Sequence, residues 1–236
     1  MLPGGAILLF VRLLMKKQFN SSMPNLTKST LVFLLALALL WSSGSGIAGY
    51  KAHVWSANAR ESYPATLSSE GVTIAAEPLF TDALAARVFD KKDMVTRGIM
   101  PLAIVIFNDN DYPIEVDGLT VELVSGEDHI RTMTPIDAIN HLFGKDKSGI
   151  SRSNPKPSNG EALEDFSSKF LTEKTIAPHD KGGGFLFMRI YNPQNLTDYL
   201  SKATVYIPNV YRGDDSSRLI YFEIELGSAI KAGARE

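Results

Sequence analysis

The 236-residue chain contains no cysteine, carries a net charge of only −2 and lacks repeated long apolar runs. The missing cysteine excludes a disulfide scaffold, thiol catalysis and a lipid attached through cysteine. Because apolar runs of spanning length do not recur, a polytopic membrane protein is also excluded. With 44% hydrophobic and 21% charged residues, the composition is typical of a folded globular protein rather than a disordered or collagenous one.

The beginning of the chain has the pattern of an export leader. Residues 1–48 contain four basic residues and no acidic one, and residues 31–41 form an apolar run. A basic start before a short apolar run is typical of a signal peptide, and small residues allow cleavage after Ala48. The sequence therefore predicts a leader over residues 1–50.

An uncleaved anchor is the alternative to cleavage. Residues 29–50 carry no charge, which is enough chain for a single membrane span. Translation from Met23 instead of Met1 would leave a compact leader of the same type. In each case the basic residues stay in the cytoplasm and the rest faces outward, so we expect a periplasmic or extracellular protein, soluble or anchored.

Beyond the leader the chain is acidic. Of 24 basic and 26 acidic residues, four basic ones precede residue 49, so 20 basic and 26 acidic residues remain, a net charge of −6. The remainder has no basic stripe, and nucleic-acid binding is not expected. We predict a polar spacer over residues 51–70, a folded body over residues 71–227 and a short tail over residues 228–236. Residues 145–159, nearly all polar, are predicted to be a mobile loop.

Strand patterns dominate the body. Residues 99–107 are apolar at nearly every position, which predicts a strand buried on both faces and a helix or long loop that covers one of them. In residues 218–226 apolar side chains alternate with Glu223 and Glu225, which predicts a strand buried on one face. Shorter patterns cover residues 72–76, 113–116, 119–124, 185–191 and 203–211. Seven or eight strands separated by turns predict a mainly β protein, an antiparallel β-sandwich.

Two short helices are predicted among these strands. Thr134 and Pro135 begin the first, which we expect to end at Gly144. The second follows Gly160, and its apolar residues have helical spacing: Leu163, Phe166, Phe170 and Leu171. A helical turn is also predicted over residues 81–87.

Two stretches resemble immunoglobulin-like domains of exported bacterial proteins of unknown function. The first is Gly98–Asn108 followed by Pro113–Val116, an apolar strand that ends in Asn before one that opens with Pro-Ile; it is also similar to the water-stress type of these domains. The second is Ile176–Pro178 followed by Gly184–Phe187, similar to a late hairpin. The resemblance covers residues 71–227. It implies an Ig-like β-sandwich and brings no catalytic residues with it.

The motifs that could carry chemistry have simpler structural interpretations. Asp137 and His141 share a helix face, which suits half of a metal or acid–base site but more simply a surface ion pair. The stretch Asn108–Asp111 could bind calcium but is typical of a turn. Gly182–Gly184 is followed by a strand rather than a helix, so it predicts a flexible hairpin and not a phosphate loop. We predict no catalytic, cofactor-binding or metal-binding residues, and a protein that is not an enzyme.

Two surface motifs suggest binding. Arg212–Asp214 is the tripeptide that integrins recognise, although it is also ordinary turn chemistry. Five tyrosines fall within the last 46 residues: Tyr191, Tyr199, Tyr206, Tyr211 and Tyr221. Such clustering indicates either an exposed aromatic sheet face that binds a ligand or simply strand propensity. The candidate binding surface is Tyr206, Tyr211 and Tyr221.

These patterns lead to three hypotheses for function. The first is a non-catalytic envelope protein, exported or membrane-tethered, that recruits another envelope protein. The second is a module that binds carbohydrate or a cell surface through the tyrosine-rich sheet face. A hydrolase with dispersed carboxylates is a remote third.

Overall fold

A computed structural model describes residues 50–144 and 160–233, all in one unit that begins at Gly49. The predicted leader up to residue 49, the loop predicted at residues 145–159 and the last three residues lie outside the described residues. Among the residues described, no helix is long and apolar enough to cross a membrane.

The described residues form ten strands, each antiparallel to the strands it pairs with. In chain order they are β1 (Thr66–Ser69), β2 (Val72–Pro78), β3 (Ile99–Asn108), β4 (Ile114–Asp117), β5 (Glu122–Ser125), β6 (Asp128–Met133), β7 (Glu173–Ile176), β8 (Lys181–Arg189), β9 (Thr204–Arg212) and β10 (Arg218–Glu225). The α-helices of the same residues are α1 (Asp82–Ala86), α2 (Pro135–Phe143), α3 (Gly160–Lys169), α4 (Leu196–Leu200) and α5 (Gly227–Gly233).

Hydrogen bonds connect the strands in the order β1-β2-β3-β8-β6-β5-β9-β4-β7, and β10 pairs with β9. Strand β6 joins the two halves of this path, because its residues Asp128–Arg131 pair with β5 and Thr132 and Met133 pair with β8. The prediction of a mainly β, antiparallel protein is therefore confirmed.

Strand β3 lies at the centre of the first half of the path. All ten of its residues are buried, and it pairs with β2 on one side and β8 on the other. One face of this region is covered by aromatic side chains from outside the sheet: the Phe89 ring lies 5.2 Å from Phe185, and the Phe166 ring lies 4.9 Å from Phe187. The prediction of a strand buried on both faces under a helix or loop is confirmed.

The core is continuous across both halves of the path. One cluster of buried residues includes Leu102 and Leu186 from the first half and Val205 and Phe222 from the second. Strand β10 buries alternate residues from Tyr221 to Glu225, as the sequence predicted, and β9 buries Val205, Ile207 and Val210, with one break in the alternation. The other side chains of β9 and β10 lie on the outer face of this strand pair.

Residues 51–70, predicted as a spacer, contribute to the body. They contain β1, the buried side chain of Tyr63 and a tryptophan, Trp55, whose ring packs edge-on against Phe185 at 4.8 Å. Lys181 Nζ also donates hydrogen bonds to two backbone carbonyls of this segment. The apolar residues of the segment have no clear periodicity, so its pattern gave no sign of this packing.

The end of the chain also differs from the prediction. Helix α5 occupies most of the predicted tail, and it buries Ala229 and Ile230. Helix α2 begins after the predicted cap, Thr134, and α1 lies within the helical turn predicted over residues 81–87 and is capped by Thr81; both threonine side chains accept hydrogen bonds from the first turn. Helix α4 and three strands, β1, β6 and β7, were not predicted. Leu119, predicted to begin a strand, lies in a single 3-10 turn and is 52% exposed.

The three glycines Gly182–Gly184 lie inside β8 rather than in a flexible hairpin. They pair with Ile104, Val105 and Ile106 of β3. A Cβ on Gly183 would lie 2.3 Å from the Ile104 carbonyl oxygen, and a Cβ on Gly184 would lie 2.8 Å from the Lys169 carbonyl oxygen. The glycines are therefore required by close backbone approach and not by mobility.

Candidate functional site

A groove lies on the outer face of the second half of the sheet, where β5, β6, β9 and β10 run side by side. Its volume is about 410 Å³, and we call it the tyrosine groove; it is lined by Val124, His129, Thr204, Tyr206, Tyr221 and Glu223. A volume of this size is in the range of small-molecule and side-chain pockets.

Strand alternation places these side chains on the surface. In β10, Phe222 and Ile224 are buried, so Tyr221 and Glu223 face outward. In β9, Val205 and Ile207 are buried, so Thr204 and Tyr206 lie on the opposite face and are partly exposed. The groove is thus the polar side of a strand pair whose apolar side contributes to the core.

Strand register brings the two tyrosines together. Tyr206 lies between Glu122 of β5 and Glu223 of β10 in the register of the three strands. The rings of Tyr206 and Tyr221 are tilted by 53° with their centroids 6.0 Å apart, which is a favourable aromatic arrangement. Tyr221 is 51% exposed, so this pair presents an aromatic surface to solvent.

The charges beside the groove are distributed unevenly. Glu122 Oε2 lies 2.9 Å from His129 Nδ1, and Glu122 Oε1 accepts a hydrogen bond of 3.1 Å from Arg131 Nε. The hydrogen bond with His129, supported by the one from Arg131, holds the pKa of Glu122 below its ordinary value. Glu122 therefore remains ionised, and its interactions with His129 and Arg131 offset its negative charge. Glu223 and Glu225 on β10 are exposed, and no described basic residue forms an ion pair with either.

Two of the three candidate binding tyrosines meet in this groove. Tyr211 lies five positions beyond Tyr206 on β9, beside Glu115 and Arg218 in register, and does not line the groove. The register of β9 and β10 shifts between these tyrosines, so period-two counting along β9 does not hold. Tyr191 is 84% exposed at a separate place, near Arg189, and the Tyr199 hydroxyl is buried.

Asp137 and His141 do not interact as the sequence predicted. Asp137 Oδ2 accepts a hydrogen bond from Thr134 Oγ1 at 2.6 Å, which completes the cap of α2. His141 Nε2 lies 2.7 Å from the Arg97 carbonyl oxygen, and its Nδ1 is hydrogen-bonded to Arg189. The ion-pair interpretation and the half-site interpretation are both wrong, because each side chain is already engaged elsewhere. Among the residues described, no cluster of His, Asp or Glu could hold a metal ion.

The stretch Asn108–Asp111 is a structural turn. The buried Asn108 amide donates to the carbonyl oxygens of Tyr112, Ile176 and Ala177, at 2.8, 3.2 and 3.0 Å. Asp109 pairs with Arg60 at 2.6 Å, and Asp111 lies 2.8 Å from His179. The side-chain oxygens point to separate partners rather than to one centre, which supports the turn interpretation.

The Arg212–Asp214 tripeptide lies at the β9–β10 turn but is closed on itself. Arg212 Nε and Nη2 donate to Asp214 at 3.0 and 2.6 Å, and the guanidinium lies 3.9 Å from the centre of the Tyr112 ring. The hydrogen bond from Arg212 also lowers the pKa of Asp214. Arginine and aspartate therefore satisfy each other, which disfavours the adhesive interpretation.

A buried cluster of charged side chains on α3, which contacts Tyr50 at the start of the described residues, was not predicted. The side chains of Asp165 and Lys169 on α3 are 4% and 8% exposed, and their closest atoms are 2.6 Å apart. Tyr50 Oη donates a hydrogen bond of 2.7 Å to Asp165, and Lys169 Nζ lies 5.0 Å from the centre of the Phe89 ring. Burial, together with the hydrogen bond to Asp165, raises the pKa of Tyr50 far above its ordinary value. The spacing of four between Asp165 and Lys169 fits an ion pair on a helix, but nothing local indicates burial. The hydrogen bond to Asp165 holds Tyr50 against α3.

Comparison with known proteins gives little further information. No family model and no curated protein sequence matches the chain. Solved structures with detectable similarity include the yjhA protein from Bacillus subtilis, with 9% sequence identity and a TM-score of 0.32 over 60% of this chain and 76% of that chain.

Proposed function

We propose that this chain is an exported, non-catalytic binding module that recruits an envelope protein through the tyrosine groove. The exposed pair of Tyr206 and Tyr221 is the observation that carries the proposal, because tyrosine is enriched where protein interfaces concentrate their binding energy. The leader pattern of residues 1–50 supports export, with the body either released or held by residues 29–50.

The finer fold that we propose is an Ig-like β-sandwich. It is supported by the two halves of the strand path, which share one core, and by the resemblance of residues 71–227 to Ig-like domains. In such a sandwich the tyrosine groove would lie on an outer sheet face, accessible to a partner.

Binding is better supported than hydrolysis. A general acid at neutral pH needs a carboxyl group with a raised pKa, whereas the pKa of Glu122 is lowered by His129 and Arg131. Glu223 is the only acidic residue that lines the groove among the residues described. One free carboxylate beside two tyrosines fits a recognition surface better than an acid–base pair.

The proposal is tested by purifying the full chain from gently solubilised envelope and identifying the proteins that copurify with it. We expect a partner protein to copurify with the parent chain and with Tyr191→Ala, and to be lost from the double variant Tyr206→Ala/Tyr221→Ala. Tyr191 is the matched control because it is an exposed tyrosine outside the groove. Recovery of the chain alone, or retention of the partner by the double variant, would contradict the proposal.

Carbohydrate binding is the second candidate, because tyrosine rings next to a carboxylate also suit stacking and hydrogen bonding with sugars. A glycan array with the same double variant distinguishes the two functions. Glycan binding by the parent that the double variant loses would favour this candidate, and no glycan binding by the parent would remove it.

A further inference from the structure

The rim of the tyrosine groove carries negative charge that the described part of the chain does not neutralise. Glu122, on one side of Tyr206, is bonded to His129 and Arg131. Glu223, on the other side of Tyr206, is exposed and forms no ion pair with a described residue, and Glu225 follows it on the same face. The groove therefore lies between Glu122, whose negative charge is offset, and Glu223 and Glu225, which form no ion pair with a described residue.

The tyrosine rings of the groove also differ from other rings of this chain. Five aromatic rings have a cationic group of the chain over them: Phe89, Phe107, Phe143, Tyr112 and Tyr191. Within residues 50–144 and 160–233 no such cation lies over Tyr206 or Tyr221. A cation over a tyrosine face is attractive, and the attraction grows when water is excluded.

The β9–β10 turn shows a complete version of the same arrangement. The Arg212 guanidinium lies over the Tyr112 ring at 3.9 Å and pairs with the carboxylate of Asp214 at 2.6 Å. The groove offers a tyrosine face and a carboxylate, Glu223, and its lining residues include no lysine or arginine. The component that it lacks is the guanidinium or ammonium group.

From this complementarity we infer that the tyrosine groove binds a cationic side chain, arginine above lysine, presented by the partner protein. The inference rests on the proposed function and names the chemistry of its partner. Arginine is preferred because a planar guanidinium stacks on a ring and bonds to a carboxylate at the same time. The net charge of −6 beyond the leader attracts a basic partner over longer distances.

Titration of the full chain with the peptide acetyl-Arg-Arg-Arg-amide tests the inference. The chain contains eight tyrosines, so selective ¹³C labelling of tyrosine rings gives a spectrum that single variants can assign. We expect saturable shifts of the Tyr206 and Tyr221 signals, no shift of Tyr191, and weaker binding at higher salt. Replacing arginine by citrulline, its neutral isostere, should weaken binding by about tenfold or more.

Two variants separate the contributions of charge and ring. Glu223→Gln keeps the shape of the side chain, and it should weaken peptide binding about fivefold because it removes the charge-assisted hydrogen bond. Glu164→Gln, an exposed position on α3, is the matched control and should bind like the parent. Tyr221→Leu should weaken binding to a similar extent as Glu223→Gln.

Several outcomes would overturn the inference. They are equal binding of the citrulline peptide, unchanged binding by Glu223→Gln, or shifts of Tyr191 as large as those of the groove tyrosines. Glycan-induced shifts of Tyr206 and Tyr221 without a response to the arginine peptide would overturn it in favour of carbohydrate. If the arginine peptide fails while the envelope partner is still lost from the double groove variant, only this inference fails and the proposed function stands.

Discussion

At the residue scale, the Asp165–Lys169 pair is the interaction whose loss should cost most stability. Both side chains are more than nine-tenths buried, and Asp165 also accepts the Tyr50 hydrogen bond. Lys169→Met keeps the apolar stem but leaves the Asp165 carboxylate without its counter-ion. We expect the free energy of unfolding to fall by about 3 kcal/mol, measured by urea denaturation.

Lys202→Met is the matched control for this prediction. Lys202 and Asp198 have the same spacing of four, with Asp198 on α4 and Lys202 in the turn that follows it, but they are 73% and 86% exposed and 3.9 Å apart. Solvent screens such a pair, so the change should be below about 0.5 kcal/mol. Equal effects of the two variants would show that the Asp165–Lys169 pair is not buried as the structure has it.

The groove was only partly predictable at this scale. Clustering of tyrosines near the end of the chain identified Tyr206 and Tyr221, and alternation in β10 placed Glu223 on the surface. Tyr211, grouped with them in the sequence, lies five residues further along β9 and outside the groove, and the shift in register between β9 and β10 that separates them could not be derived from the sequence. Burial of Lys169 was hidden for a related reason: it depends on Tyr50 and Phe89, which are distant in sequence.

At the element scale, strands with a strong apolar pattern were predictable and polar ones were not. Strand β3 is apolar throughout, and β10 alternates regularly, so their local sequence is sufficient. Strands β1 and β6 are mostly exposed, and their strand conformation depends on pairing with β2, β5 and β8. The strand conformation of such polar segments depends on neighbouring strands, and the sequence does not show which strands those are.

Strand β8 provides the test at this scale. In Gly183→Ala the new methyl group would meet the Ile104 carbonyl oxygen of β3 at 2.3 Å, so the two strands must separate locally. We expect a loss of about 2 kcal/mol in the free energy of unfolding, read from the urea midpoint at an unchanged slope.

Gly160→Ala is the control for the strand variant. No described atom lies within 4 Å of a Cβ at this position at the start of α3, and alanine favours a helix over glycine. This variant should be as stable as the parent or slightly more stable. If Gly183→Ala were equally harmless, β3 and β8 would not approach as closely as described.

At the scale of the whole molecule, the chain combines an acidic β body, a groove with two tyrosine rings that no described cation covers, and a leader pattern for export. Basic partners are favoured by the net charge of −6 beyond the leader and by Glu223 and Glu225, which form no ion pair with a described residue. Tyr50 and Trp55 pack in the folded body, which therefore begins where the predicted leader ends.

Photo-crosslinking in living cells of the native host tests the central claim most directly. A photoreactive phenylalanine analogue, p-benzoylphenylalanine, replaces Tyr221 in one variant of the full chain and Tyr191 in another. We expect a discrete crosslinked product in the envelope fraction from position 221, and none from position 191. The same products from both positions, or a product from position 191 alone, would contradict it.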